Sequence, residues 1–234
     1  MELSQSTGNN EISAFRKLIL VWFVIHGRSF QWRRKSARNY DRIIAEVLLQ
    51  RTKAEKVAGH FSTFIKKYPS WKALSEATQP ELEMHLHPLG LWRQKASSIS
   101  YLSKDMAKRH GRIPKHRDEI EALPNVGQYI ANAIQLLCHG VPQPLLDTNM
   151  SRVLERCFGP RKMADIRYDP YLQQLAKEVV SCKEPIKINW AILDLAALVC
   201  KPSNPICPTC PVKKICGRYL LHTQIKLNTF HRNT

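Results

Sequence analysis

Apolar residues recur at helical spacing along nearly the whole chain, and nowhere do they alternate with the period of two that marks a half-buried strand. Segment 14–25 carries Phe15, Leu18, Ile19, Trp22 and Phe23 on one helical repeat. Segment 41–50 sets Ile43, Ile44, Val47 and Leu48 on one face, with Asp41 positioned as its cap. The same reading predicts helices over 57–68, 79–86, 95–110, 117–122, 128–137, 150–158, 171–180 and 189–199, with a basic turn over 27–38 and a stop at Gly159-Pro160. The class that follows is all-α. With 234 residues, 44% apolar and 24% charged, the chain is long enough for a proper core and too apolar for wholesale disorder. The run 18–25 is far short of a membrane span, and residues 1–11 lack the basic start and apolar stretch of a secretory signal.

Charge narrows the partner. Thirty-six Lys and Arg against 19 Asp and Glu leave a net charge of +17, which points to a polyanion, nucleic acid before a membrane surface.

Seven cysteines without an export signal indicate metal or thiol chemistry in preference to disulfides. Cys138, Cys157 and Cys182 lie in helical patterns and read as small buried hydrophobes. Cys200, Cys207, Cys210 and Cys216 instead crowd together with the spacing C-x6-C-x2-C-x5-C. Four thiolates from one short loop ligate either zinc or an iron–sulfur cluster. A zinc ribbon usually offers two C-x2-C pairs. Here one pair is flanked by single cysteines at unequal distances, which favours [4Fe–4S], and an anionic cluster tolerates the neighbouring Lys201, Lys213 and Lys214. Four unligated thiols remain the bland reading of the loop.

Two further segments invite chemistry. In Leu123-Pro124-Asn125-Val126-Gly127 a proline begins a tight turn, and Asn125 and Gly127 are residues that adopt positive φ readily. The turn opens the N-terminus of the helix from Gln128, where backbone N–H groups make an anion site suited to a DNA phosphate. An ordinary helix–helix turn fits the same residues. Asp147 directly precedes a helix whose apolar face is Met150, Val153, Leu154 and Cys157. That is an N-cap position, and a carboxylate at a helix end can also face a reacting sugar.

Together the hairpin, Asp147 and the cysteine spacing resemble the helix-hairpin-helix DNA glycosylases of the endonuclease III superfamily, over roughly residues 15–216. Asn125 stands where that family usually has glycine, and asparagine reaches the same left-handed geometry. The resemblance implies two lobes with a DNA cleft between them: a six-helix barrel lobe over 34–142, with the hairpin at about 117–137, and a helical lobe from 1–33 and 143–234 holding a [4Fe–4S] loop at 200–216. It implies Cys200, Cys207, Cys210 and Cys216 as cluster ligands and Asp147 as the carboxylate that stabilises the sugar. Double-stranded DNA with a mismatched or damaged base would be the partner, and the protein a monomer of the cytoplasm, associated with the nucleoid.

Three features sort the branches of that superfamily. Bifunctional members have a Schiff-base lysine two residues after the hairpin glycine, where this chain has Tyr129, so strand cleavage by that route is not expected. Glu46 flanks the buried face of its helix, open to a solvated or to a pocket-facing reading. In the adenine and thymine glycosylases of the superfamily a glutamate here faces the flipped base. Adenine glycosylases generally carry a further domain, for which residues 217–234 are too short, and a small residue at the position of Tyr129. Phe158-Gly159 and Asn189–Asp194 also look like the thymine branch. The expected activity is a monofunctional glycosylase releasing thymine or uracil opposite guanine. The alternatives are an adenine glycosylase and, further off, a non-catalytic DNA-binding subunit. Leu49, Gln50 and Arg51 align with the loop that fills the vacated stack. Leu91 and Trp92 align with a second intercalating loop, or form a plain helix turn with Trp92 in the core. Asn125, Val126, Gly127, Tyr129, Lys213 and Lys214 would meet phosphates.

Overall fold

The computed structural model describes residues 3–221 and 223; the outermost parts of the expected second lobe, 1–2, 222 and 224–234, lie outside the described residues. All regular structure among the described residues is helical, as the periodicity predicts. Among the described residues the α-helices run in the order α1 (Leu3–His26), α2 (Asn39–Leu49), α3 (Ala54–Lys67), α4 (Trp71–Ser75), α5 (Gln79–Leu86), α6 (Trp92–Lys108), α7 (Arg117–Glu121), α8 (Gln128–His139), α9 (Thr148–Phe158), α10 (Pro170–Val180) and α11 (Pro185–Leu198), and residues 217–221 are again helical. No described helix is long and apolar enough to cross a membrane.

The chain forms two compact units, one of Ser29–Val141 and one of the residues up to Arg28 with those from Pro142 onward. In the first, α2–α8 enclose a continuous apolar core built around Ile44, Leu48, Phe64, Leu82, Leu86, Ile99, Ile120 and Ile130. In the second, Phe15 and Ile19 of α1 join Leu154 of α9, Val179 of α10 and Ile192 and Leu195 of α11, all fully buried. An ion pair completes this core: Arg28 donates to the buried Asp194 carboxylate from its backbone N–H at 2.7 Å and from Nε at 2.8 Å. One charge of such a pair cannot be removed cheaply, because its partner is left buried and uncompensated.

Local chemistry sets most helix ends. Ser70 and Asp169 cap α4 and α10, accepting from the Ala73 N–H at 3.2 Å and the Leu172 N–H at 2.7 Å. Gly140 ends α8 in the left-handed conformation (φ 70°). Three expectations need correction. Asp41 is not the cap of α2: the helix starts earlier, and Asp41 reaches back from its third position to accept the Arg38 N–H at 3.0 Å. Trp71–Ser75 forms a helix too short for periodicity to announce. Finally, α1 starts well before 14, because its polar first turns hide the amphipathic pattern, and α11 starts before 189, with Pro185 in its first turn, where the missing N–H costs nothing.

Candidate active site and cysteine loop

In the unit Ser29–Val141, α7 and α8 form the hairpin. Buried Leu123 and Val126 anchor the turn, and Asn125 takes the left-handed conformation (φ 59°), as its residue type predicts. Gly127 does not: its φ is −86° and its backbone extended, so a left-handed turn is not the reason for glycine here. A Cβ at Gly127 would meet no atom within 4 Å, so the space above it is open to an incoming group. The Val126 N–H, expected to meet a phosphate, instead donates to the Leu123 carbonyl at 3.2 Å and closes the turn. Arg117 fastens α7 onto α8, donating to Asn132 Oδ1 at 2.6 Å and Gln135 Oε1 at 3.0 Å.

The first turn of α8 presents Tyr129, and α2 presents Glu46 to the same place. Tyr129 donates its hydroxyl to Glu46 Oε2 at 3.0 Å. Glu46 is only 3% exposed, which excludes the solvated reading of this residue. A carboxylate sunk among Ile43, Ile44, Val47 and Leu48 contributes nothing to an apolar core and needs hydrogen-bond donors to be tolerated there. The pair is therefore a polar inset in the wall of a hydrophobic unit, the setting in which one polar molecule can be held by directed bonds.

At the end of α2 Leu49 is half-buried, and beyond it Gln50 and Arg51 are exposed, with Arg51 left-handed (φ 54°). Leu91, also left-handed (φ 49°), is 42% exposed. Trp92 is half-buried against the core, its ring 5.5 Å from that of His87 and 4.1 Å from the Arg93 guanidinium carbon.

In the other unit, Asp147 is the N-cap of α9. Its Oδ1 accepts the Asn149 and Met150 N–H groups at 2.9 and 2.8 Å, and its Oδ2 accepts Asn149 Nδ2 at 2.6 Å. Three donors hold the carboxylate in one orientation. The approach to it is also fixed: buried Asn189 of α11 accepts the Leu145 N–H at 2.7 Å and donates to the Gln143 carbonyl at 3.1 Å. Lys177 donates to the Pro142 carbonyl at 2.5 Å.

Residues that the sequence did not single out connect α9 to the cysteine loop. Arg152 donates to Asn149 Oδ1 at 3.2 Å, to the Cys200 carbonyl at 2.8 Å and to the Ala196 carbonyl at 3.1 Å. Arg156 donates to Cys200 Sγ at 3.3 Å and to the carbonyls of Lys201 and Pro202 at 2.8 and 3.0 Å. Their one visible signal is spacing: 152 and 156 share a stripe of α9 opposite the apolar face of Met150, Val153, Leu154 and Cys157.

All four loop cysteines are half-buried. Burial pushes the Cys210 thiol up to about 11, with Cys200, Cys216 and Cys207 adding to the effect through their charges. A hydrogen bond from Cys157 draws Cys216 down to about 6. The loop thiols share one electrostatic neighbourhood, yet no group of three or more His, Cys, Asp or Glu among the described residues converges to hold a metal ion. Lys213, half-buried, donates to the Pro208 carbonyl at 2.6 Å inside the loop, and Lys214 is exposed.

Residues 44–177 match the HhH-GPD superfamily base excision DNA repair protein model, and the chain belongs to that superfamily. DNA is accordingly its partner, and the protein is an enzyme of base excision repair. It is similar to the thymine-DNA glycosylase of Aeropyrum pernix, at 35% identity over 89% of this chain and 95% of the other. The thymine/uracil-DNA glycosylase of Pyrobaculum aerophilum is 33% identical over 89% and 93%. The human adenine DNA glycosylase is 29% identical over 88% of this chain but only 39% of its own length. Among solved structures, a thermostable thymine-DNA glycosylase superposes with a TM-score of 0.82 at 29% identity, covering 90% of this chain and 97% of the other. A non-covalent endonuclease III–DNA complex, at a TM-score of 0.78 and 23% identity, shares the fold.

Proposed function

We propose that the chain is a monofunctional DNA glycosylase that extrudes thymine or uracil from opposite guanine and hydrolyses its N-glycosidic bond. The observation that carries the reading is the buried Glu46 carboxylate bonded to the Tyr129 hydroxyl, on an α8 that offers Tyr129 where a Schiff-base amine would otherwise stand. C1′ is out of reach inside a stacked duplex, so the nucleotide must leave the helix, at a cost that is lower for a mismatched base. As the C1′–N1 bond breaks, its electron pair stays with the base and positive charge grows on the sugar. The Asp147 carboxylate, held in one orientation by its three donors, stabilises that charge and takes the proton of the attacking water. Glu46 and Tyr129 hydrogen-bond the departing base. Leu49, Gln50 and Arg51, with Leu91, enter the vacated stack and meet the widowed guanine.

The backbone around Gly127 and the N-terminal turn of α8 suit a phosphate, both for the open space above Gly127 and for the helix dipole. Lys213 and Lys214 add positive charge elsewhere along the strand.

Cys200, Cys207, Cys210 and Cys216 would hold a [4Fe–4S] cluster. The spacing C-x6-C-x2-C-x5-C in one short loop suits such a cluster better than the two C-x2-C pairs of a zinc ribbon. The cluster, when bound, supplies a rigid cross-link for the loop. Purified protein is expected to be yellow-brown with about four iron atoms per chain, and zinc in an anaerobic preparation would overturn the assignment. The enzyme acts as a monomer where the chromosome lies, in the nucleoid.

A panel of duplexes, each with one mismatch or lesion, tests the substrate under single-turnover conditions with alkali used to reveal abasic sites. Thymine and uracil opposite guanine are expected to be released fastest. Faster release of adenine opposite guanine or oxidised guanine would assign the chain to the adenine branch.

A further inference from the structure

Lys95, in the first turn of α6, is a lysine with only 4% of its surface exposed. Burial depresses its tendency to carry a proton. A buried ammonium costs stability that a methionine of similar length would not, so its hydrogen bond must account for it. Lys95 Nζ donates to the Gln50 carbonyl at 2.5 Å, reaching from α6 to the segment that follows α2.

That segment and the one preceding α6 are unusual in the same way. Arg51 (φ 54°) and Leu91 (φ 49°) are both bulky residues in the left-handed region, which crowds a Cβ against the following carbonyl. Such conformations persist only where the surroundings over-determine them. Here the surroundings are identifiable. Thr52 donates its hydroxyl to the Leu89 carbonyl at 3.2 Å, joining the two loops directly. Lys95 joins them again from below, because its own N–H bonds the Leu91 carbonyl at 3.0 Å while its ammonium holds Gln50.

We infer that Lys95 is a positioning residue that locks the loops at 49–52 and 89–92 into one rigid unit, so that both meet DNA in a preset geometry. The inference rests on the reading of these loops as the elements that enter the vacated stack. Lys95 touches neither base nor sugar. It acts through the Gln50 carbonyl and through the left-handed backbone at Arg51 and Leu91, and so it governs extrusion of the nucleotide, not bond cleavage.

The test compares the parent with Lys95→Met, Lys95→Arg and Thr52→Val on a guanine–uracil duplex carrying 2-aminopurine beside the mismatch. Fluorescence reports unstacking, and single-turnover release reports the whole reaction. Lys95→Met is expected to lose roughly tenfold or more in rate, together with most of the fluorescence rise. Lys95→Arg, which can still donate to Gln50, should recover both. Thr52→Val, which removes a half-buried hydroxyl and leaves the core untouched, should shift both in the same direction by less. It also keeps the test decisive should Lys95→Met melt at the assay temperature. Parent-like unstacking in Lys95→Met, or in Thr52→Val where Lys95→Met does not fold, overturns the inference. So does a slow Lys95→Met that unstacks normally. Parent-like behaviour of Gln50→Ala and Leu91→Ala would instead remove the loops from DNA, a separate failure visible without any change at Lys95.

Discussion

Asp147 caps α9 and, in the proposed reaction, also stabilises the sugar, and the two roles can be separated. As an N-cap it accepts two backbone N–H groups of α9, a task asparagine performs about equally well. As the stabiliser of a developing cation it needs its negative charge, which asparagine lacks. Asp147→Asn is therefore expected to keep its melting temperature and to lose at least about a hundredfold in single-turnover rate. Loss of both together would mean that the carboxylate is structural only. At Tyr129 the expectation is chemical: a phenol forms no imine with an abasic sugar, so borohydride should trap no covalent complex. The product should be an intact strand that breaks only in alkali, and efficient trapping of the unmodified protein would show another amine attacking C1′.

Among the helices, the hairpin between α7 and α8 shows how residue type and position interlock. Asn125 occupies the left-handed region with a side chain that tolerates it. Asn125→Ala should cost about 1–2 kcal/mol in chemical denaturation, while Asn125→Gly should be close to neutral. Equal stability of the alanine variant would mean that the turn relaxes to another conformation. The cysteine loop depends on a helix in another way. Its backbone has little regular structure, and Arg152 and Arg156 of α9 bind the carbonyls of Cys200, Lys201 and Pro202 that nothing in the loop itself would satisfy. The arginines that anchor the loop thus stand on the helix that Asp147 begins.

For the molecule as a whole, the +17 charge is expected to set how DNA is held. If about six phosphates are neutralised, the logarithm of the binding constant should fall with the logarithm of salt concentration at a slope of roughly −5. A slope near zero, measured by titration with a non-cleavable abasic duplex, would show that the charge is not what binds. A base-excision enzyme gains from such a charge, because sequence-independent attraction lets it scan duplex.

What the sequence determined alone is local. The 3.6-residue repeat specified an all-helical chain because it depends only on near neighbours. The hairpin turn was legible in Asn125 for the same reason, and the cysteine loop in its spacing, since four thiols within one short segment need no tertiary contact to be recognised. Glu46 and Tyr129 were visible as candidates, but 83 positions separate them, and only the packing of α2 on α8 buries the carboxylate and brings the hydroxyl to it. Glycine at 127 misled for the converse reason: its identity suggested a left-handed turn, whereas the fold uses the missing side chain as open space. Lys95 reads in sequence as one more surface charge on a basic protein. Its burial, and the carbonyl of Gln50 that receives it, exist only once α6 has packed beside the end of α2, because what a long side chain touches is set by helices distant in sequence.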